Sequence, residues 1–285
     1  VITHILATIA LLTGTMTDFH RREVPYWVTS GLLATAISIA ILQSVQQLSF
    51  IPLLESALGL GVAWVLGALM YYTGQWGGAD LSLLMGLGAL FGLPLALTAS
   101  FFSVFLLVCL FAGAIYGIGY LFILVLIKRK IVFPELRKQL SKPTNLKIRK
   151  ICLVVVPTLL IIAALVSHVI TFLLAFIAAM GYITFLLFHV AKAVEKKAFI
   201  KKISVDKLVP GDWLAEDIKN KKVVLIAVKD LKTGLEKKHL KQIKKEGIKH
   251  VTVKEGIPFV PSFLLGYVAT IYLYEPIVSY FSLIF

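Results

Sequence analysis

Between residues 23 and 127 the chain contains no lysine or arginine, and its only acids there are Glu23, Glu55 and Asp80. Charged residues make up 15% of the 285 and hydrophobic residues 59%; an average soluble domain is about 25% charged. So little charge excludes a single water-soluble globule. Cysteine is almost absent too. Cys109 and Cys152 both sit within apolar runs, which excludes a clustered-cysteine zinc site and leaves no disulfide to expect. The six histidines (His4, His20, His168, His189, His239 and His250) show no metal spacing. Neither G-x-G-x-x-G nor a P-loop is present, so nothing calls for a nucleotide, and no metal or other cofactor is expected.

What fills the chain is apolar sequence in long runs. A hydrocarbon core about 30 Å thick takes ~20 residues per helix. The runs therefore predict an all-α polytopic membrane protein of about eight transmembrane helices. Three cover residues 1–17, 24–48 and 51–73, the last two separated by Gln43-Ser-Val-Gln-Gln47. Residues 81–127 hold two, breaking at Gly92-Leu-Pro94, and residues 151–191 hold two more, breaking near Ser167-His168. Residues 257–285 form the eighth. The apolar start has no basic segment before it, and Arg21-Arg22 follow it, so it reads as a retained helix and not a cleaved signal.

The 29 cations fall in three places: Arg21-Arg22, residues 128–150 and residues 192–254. Short Lys/Arg-rich segments stay in the cytoplasm. The predicted helices put even numbers of crossings between the three basic segments, so all three share the cytoplasmic side and both termini face outward. The resulting organisation is a five-helix membrane core (1–127), a basic cytoplasmic loop (128–150), two further membrane helices (151–191), a Lys-rich cytoplasmic domain (192–256) and a last membrane helix (257–285). Pro134 and Pro143 argue that 128–150 is a loop with at most a short interfacial helix. In 192–256, residues 222–228 and 248–253 read as strands. Thr233-Gly-Leu-Glu236 reads as a capped helix start and Gly247 as its stop, with Leu235, His239, Leu240 and Ile243 on one face. The domain is a small α+β module inserted before the last helix. Its positive excess suits anionic lipid headgroups better than nucleic acid, which is not expected as a partner.

Acids at membrane depth are costly and concentrate where function requires them. Asp18 ends the first helix and Asp80 opens the fourth, so the derived topology puts both at the cytoplasmic edge. Two carboxyls meeting in a partly desolvated place share one proton. That is the chemistry of an aspartic protease, in which one takes a proton from water while the other gives one to the scissile carbonyl. Asp80 also fits a helix N-cap, and Asp18 a partner for Arg21 or Arg22. Gly77 and Gly78 favour the chemical reading, since they permit a sharp turn and close approach of another chain to Asp80. Glu55 is expected near the outer interface, and Glu275-Pro276 in the outer leaflet with a helix break at the proline. Gly88-Ala-Leu-Phe-Gly92 and Gly113-Ala-Ile-Tyr-Gly117 are small-residue packing faces.

At these positions the sequence resembles the type IV prepilin peptidases, in particular the archaeal preflagellin (prearchaellin) peptidases. Asp18-Phe-His-Arg-Arg-Glu-Val-Pro25-Tyr-Trp27 is similar to the family's Asp, basic residues and Val-Pro before the second helix. Gly77-Gly-Ala-Asp80 is similar to its GxGD motif, with Ala79 in place of the second glycine and Ser82 where many members carry lysine. Val209-Pro-Gly-Asp-Trp-Leu214 and Glu255-Gly-Ile-Pro-Phe-Val-Pro261 resemble the archaeal C-terminal extension. The paired CxxC zinc motifs of bacterial relatives are missing, and with them any support for N-methylation. The resemblance implies a membrane-embedded aspartic endopeptidase that removes a short basic leader from archaellin or type IV pilin-like precursors. Asp18 and Asp80 would be catalytic, Gly77, Gly78, Ala79 and Pro25 would shape the motifs, and Glu23 and Glu135 would be candidate contacts for the leader's cations. Its partners would be precursors with class III-type leader peptides, and membrane lipids. A proton-coupled transporter would instead need midplane carboxylates in inverted repeats, and a non-enzymatic scaffold would use the basic module for docking.

Overall fold

The protein is described here by a computed structural model covering residues 1–95, 99–166, 169–220, 223–228, 231, 234–254 and 256–284. The expected break at Ser167-His168, together with Lys222, Thr233, Glu255 and Phe285, lies outside the described residues. The chain divides into two compact units, Val1–Ile118 with Ile257–Phe285, and Gly119–Gly256.

The first unit is helical. It contains α1 (Ile2–Arg21), α2 (Tyr26–Gln46), α3 (Ile51–Tyr72), α4 (Gly78–Phe91), most of α5 (Phe101–Ile127) and α10 (Val260–Ile284). Proline and glycine punctuate it. Pro25 caps α2, where no N–H is needed, Pro52 lies in the first turn of α3, and Gly92 ends α4 with φ +66°. The break between α4 and α5 thus falls where Gly92-Leu-Pro94 was expected. Leu11, Leu83, Leu87, Phe102, Phe105, Phe263 and Tyr267 form the buried core.

The hairpin of α3 and α4 is packed by small residues. Gly59 and Gly88 meet backbone to backbone, and a Cβ built on Gly59 would lie 2.1 Å from the Gly88 carbonyl oxygen. Gly67 abuts Leu81, and the Ser56 hydroxyl donates to the Ala89 carbonyl at 2.7 Å. Gly88 therefore packs as its motif suggested. Of the second small-residue pair, Gly113 receives the Phe259 ring, while Gly117 meets nothing within 4 Å. One turn further along the same α5–α10 contact, Gly266 accommodates Cys109 of α5.

In the second unit α6 (Arg129–Leu140), α7 (Pro143–Val166) and α8 (Val169–Lys197) precede the small module. Residues 128–150, expected as a loop, are mostly helical. Pro143 occupies the first position of α7, where its missing N–H costs nothing. Pro134 lies inside α6 and gives up one internal bond. Packing of Val132 against α8, where Ala193 and Val194 are buried, offsets that loss. Lys196 of α8 bonds the buried Glu135 at 2.8 Å.

The module has an antiparallel sheet in the order β1 (Ile200–Ser204), β5 (His250–Lys254), β2 (Trp213–Leu214), and a hairpin of β3 (Ile218–Asn220) with β4 (Val223–Ile226). Strands β4 and β5 lie in the expected runs; β1 and β2 were not anticipated. α9 (Lys237–Lys245) starts later than expected. Glu236 is its cap, its N–H bonded to His239 Nδ1 at 3.1 Å, and Leu235 stays extended, tied by backbone bonds to Gly211 and Asp212. Gly247, at φ +67°, follows the end of the helix as read.

Six helices, α1, α2, α3, α5, α8 and α10, are long and apolar enough to cross a membrane among the described residues; α4 has 14 residues. α10 runs unbroken through Pro276, contrary to the expected break. In an apolar setting, neighbouring groups and small local adjustments tolerate one lost helical bond.

Two measurements check this packing. Gly88→Val should lower unfolding free energy in detergent by about 2 kcal/mol, because α3 cannot yield to a branched side chain, while Gly117→Ala should leave it unchanged. The hydrogen bond from Lys196 holds the Glu135 carboxyl below the usual carboxylate range. Its contribution is therefore full above the unfolded value of about 4.3 and fades as pH falls through the lower folded value. Thermal unfolding of Glu135→Gln should converge with that of the parent protein in acid and fall below it at neutral pH.

Candidate active site

Asp18 lies in the last turn of α1, and the turn ends at Arg22 in the left-handed region (φ 59°) with its N–H on the Asp18 carbonyl. The carboxyl itself is only 7% exposed. It turns inward to the start of α10, where Val260 N–H donates to Asp18 Oδ2 at 3.0 Å and the Phe259 amide lies nearby. First-turn amides of a helix have no intrahelical acceptor, and the helix dipole is positive there. A buried carboxyl and an unpaired helix start thus satisfy each other. The Arg22 guanidinium acts on the same carboxyl electrostatically.

Asp80 lies in the first turn of α4, half-buried. Its Oδ2 accepts the Gly77 N–H at 2.8 Å. Gly77, not Asp80, is therefore the N-cap, and Asp80 bonds the cap from the third helical position with one oxygen; the other carries no hydrogen bond among the described residues. The loop before it is anchored at its start by Gln75 and Trp76 N–H, both on the Met70 carbonyl. The left-handed residue of this turn is Gly74 (φ 72°); Gly77 is extended and Gly78 opens the helix, and both are exposed. The sharp turn was expected at the latter pair. Ala79 packs on the core, and the Ser82 hydroxyl turns back to the Gly78 carbonyl.

One contact draws the two acids to the same end of the unit. A Cβ on Gly14, one turn before Asp18, would touch Val260, Leu83 and Val24, so α1, α4, α10 and the α1–α2 link converge there. The Asp18 and Asp80 carboxyls lie within electrostatic reach of each other. Pro25 holds the link to α2, and Glu23 is exposed on it. The His20 ring faces the Met16 carbonyl at 2.9 Å and not Asp18. Glu55 sits at the other end of α4, its carbonyl accepting Leu93 N–H, and Glu275 is exposed about 22 Å along α10 from Val260. Glu135 belongs to the second unit, paired with Lys196. No group of three or more metal-binding side chains occurs among the described residues.

Residues 5–118, which contain both Asp18 and Asp80, match the model of the type IV leader peptidase family. This segment belongs to that family. Over 89 residues the chain is 32% identical to a preflagellin peptidase of Methanococcus maripaludis (strain C6 / ATCC BAA-1332) and 29% identical to one of Methanococcus voltae. Each alignment covers 31% of this chain and 38% of the relative, so the chain spans well under half the length of the curated relatives it matches. No solved structure matches. The leader peptidase family marks the protein as a multi-pass membrane protein.

Sequence reasoning missed the Phe259 and Val260 amides and Trp76, whose ring packs on Phe259 and Phe263. The only signal was indirect: Pro258 and Pro261 flank a helix start, and main-chain donors leave no mark in a sequence. All of these α10 residues lie outside the family-matched segment.

Val260→Pro keeps apolar bulk and suits the first position of a helix but removes the amide. Thermal unfolding in detergent should show a loss of about 2 kcal/mol, the scale of a hydrogen bond to a charged group.

Proposed function

We propose that the protein is a membrane-embedded aspartic endopeptidase that removes the short basic leader from archaellin or type IV pilin-like precursors. The observation that supports this reading is that Asp18 and Asp80, from two motifs of the family-matched segment, lie within electrostatic reach of each other at one end of one helix cluster. A water held between the carboxyls is the nucleophile. One carboxylate takes a proton from that water while the protonated partner donates to the scissile carbonyl oxygen. The tetrahedral gem-diol collapses as the leaving amine takes up the proton first removed from the water and a diol hydroxyl returns its proton to the other carboxylate, so the pair is left again with one proton. The capping bond from Gly77 leaves Asp80 an oxygen for this work.

The membrane has about eight crossings in this proposal, with α4 and the part of α7 from Ile151 onward joining the six long helices. The end bearing the acids faces the cytoplasm, with both chain termini outside. Arg21 and Arg22 lie at that end, and the exposed Tyr26, Trp27 and Tyr72 beside it suit a headgroup-level aromatic belt. A precursor helix lying in the bilayer presents its basic inner end at this level. Glu23, exposed on the α1–α2 link, is placed to meet the leader's cations; Glu135 is already occupied by Lys196. In the module, the exposed Lys237, Lys238, Lys241, Lys244 and Lys245 of α9 offer a face to anionic headgroups.

Asp18→Asn and Asp80→Asn should each abolish processing of a co-expressed leader-bearing archaellin or pilin while the protein still inserts. Mass spectrometry of the substrate's N-terminus reads the outcome, and cleavage by either variant at the parent's rate would remove the pair from the mechanism.

A further inference from the structure

The two acids are held by different parts of the chain, and one aromatic cluster joins the holders. The Trp76 ring lies 5.1 Å from that of Phe259 and 5.2 Å from that of Phe263, the second contact edge-to-face at 85°. Phe259 and Phe263 themselves meet edge-to-face at 5.4 Å. Such offset and edge-on arrangements are the favourable ones for aromatic pairs. Phe263 is fully buried, and Phe259 is backed by Gly113 of α5, where a Cβ would lie 3.2 Å from the ring.

Each end of this cluster is one residue from a hydrogen bond to an acid. Trp76 precedes Gly77, whose N–H binds Asp80. Phe259 precedes Val260, whose N–H binds Asp18. The loop from Gly74 to Gly77 is held by backbone bonds to Met70 and Tyr71 and by the Gly77 bond to Asp80, and the indole of Trp76 packs it on the core of the helix cluster.

We propose that Trp76 is a positioning residue. Its indole, set against Phe259 and Phe263, couples the Asp80 loop to the turn that holds Asp18, and α10 thereby sets the separation of the two carboxyls. The inference rests on the peptidase reading for its consequence in catalysis but not for its geometry. It also makes the first turn of α10, outside the family-matched segment, part of the site.

The test uses the full-length protein in detergent with a leader-bearing archaellin, comparing Trp76→Ala and Trp76→Phe. Small misplacements of reacting groups cost up to about 100-fold in rate, so Trp76→Ala should lower kcat by at least ~10-fold with KM within about 2-fold. Trp76→Phe, which keeps a ring, should recover most of the rate. Hydrogen exchange read by mass spectrometry adds a signal independent of cleavage. Trp76→Ala should speed exchange in peptides covering residues 257–263, distant in sequence from the substitution, with no change across α2, and Trp76→Phe should restore the slow rate. Unchanged kcat, a change confined to KM, no rescue by phenylalanine, or unaltered exchange at 257–263 would each overturn the coupling. If the parent protein cuts no leader, the peptidase reading fails, and the exchange rates still decide whether the cluster couples the two segments.

Discussion

The bond from Val260 N–H to the Asp18 carboxyl is the constraint on which the first unit depends. A carboxyl turned into a helix cluster needs donors, because burying it unpaired is far costlier than burying apolar atoms. A helix that starts inside the same cluster needs acceptors for its first amides. Neither requirement is met locally, and each is met by the other across 242 residues of chain. The first and last helices are therefore fastened at one level. Further along the same pair, Tyr267 bonds the carbonyl and ring of His4, so α1 and α10 are pinned at two heights and cannot slide along each other without breaking polar contacts.

Asp80 is placed by a different kind of force. One buried hydrogen bond, from the Ser56 hydroxyl to the Ala89 carbonyl, ties α4 to α3, and the rest of its placement comes from the absence of side chains. The contact of Gly59 with Gly88 and of Gly67 with Leu81 brings α4 against α3 closely enough that its height is fixed by backbone shape. Apolar helices in lipid gain little from burying one another's surface, so such close approach supplies the specificity. One acid is thus located by polar satisfaction and the other by steric fit, and both locations converge near Gly14.

Much of this was legible in the sequence. Gaps in charge marked the helices, and Gly92 marked the break between α4 and α5, because hydropathy and backbone permissiveness are properties of single residues and short runs. The two acids stood out for the same reason: an aspartate in an apolar run carries a desolvation cost that a leucine or alanine would avoid. What stayed hidden depends on partners far away. The helical state of residues 128–150 comes from packing on α8, which overrides two prolines. β1, the lysine-rich Ile200–Ser204, becomes a strand only because β5 pairs with it. Gly74, not Gly77 or Gly78, takes the left-handed turn, a choice made by where α3 ends. The amide on Asp18 belongs to the backbone and has no letter in the sequence.

The register of α3 against α4 also fixes a depth. Gly67 is level with Leu81, and α3 continues from there to Tyr72, about 7 Å further along its axis. Asp80, next to Leu81, therefore lies recessed about one helical turn below the end of α3. Asp18 lies most of a turn below the end of α1 at Arg21. Each acid thus sits about a turn inside a helix end, Asp80 relative to α3 and Asp18 within α1. On the proposed peptidase reading, carboxyls set below helix ends would be reached by extended backbone rather than by an intact substrate helix.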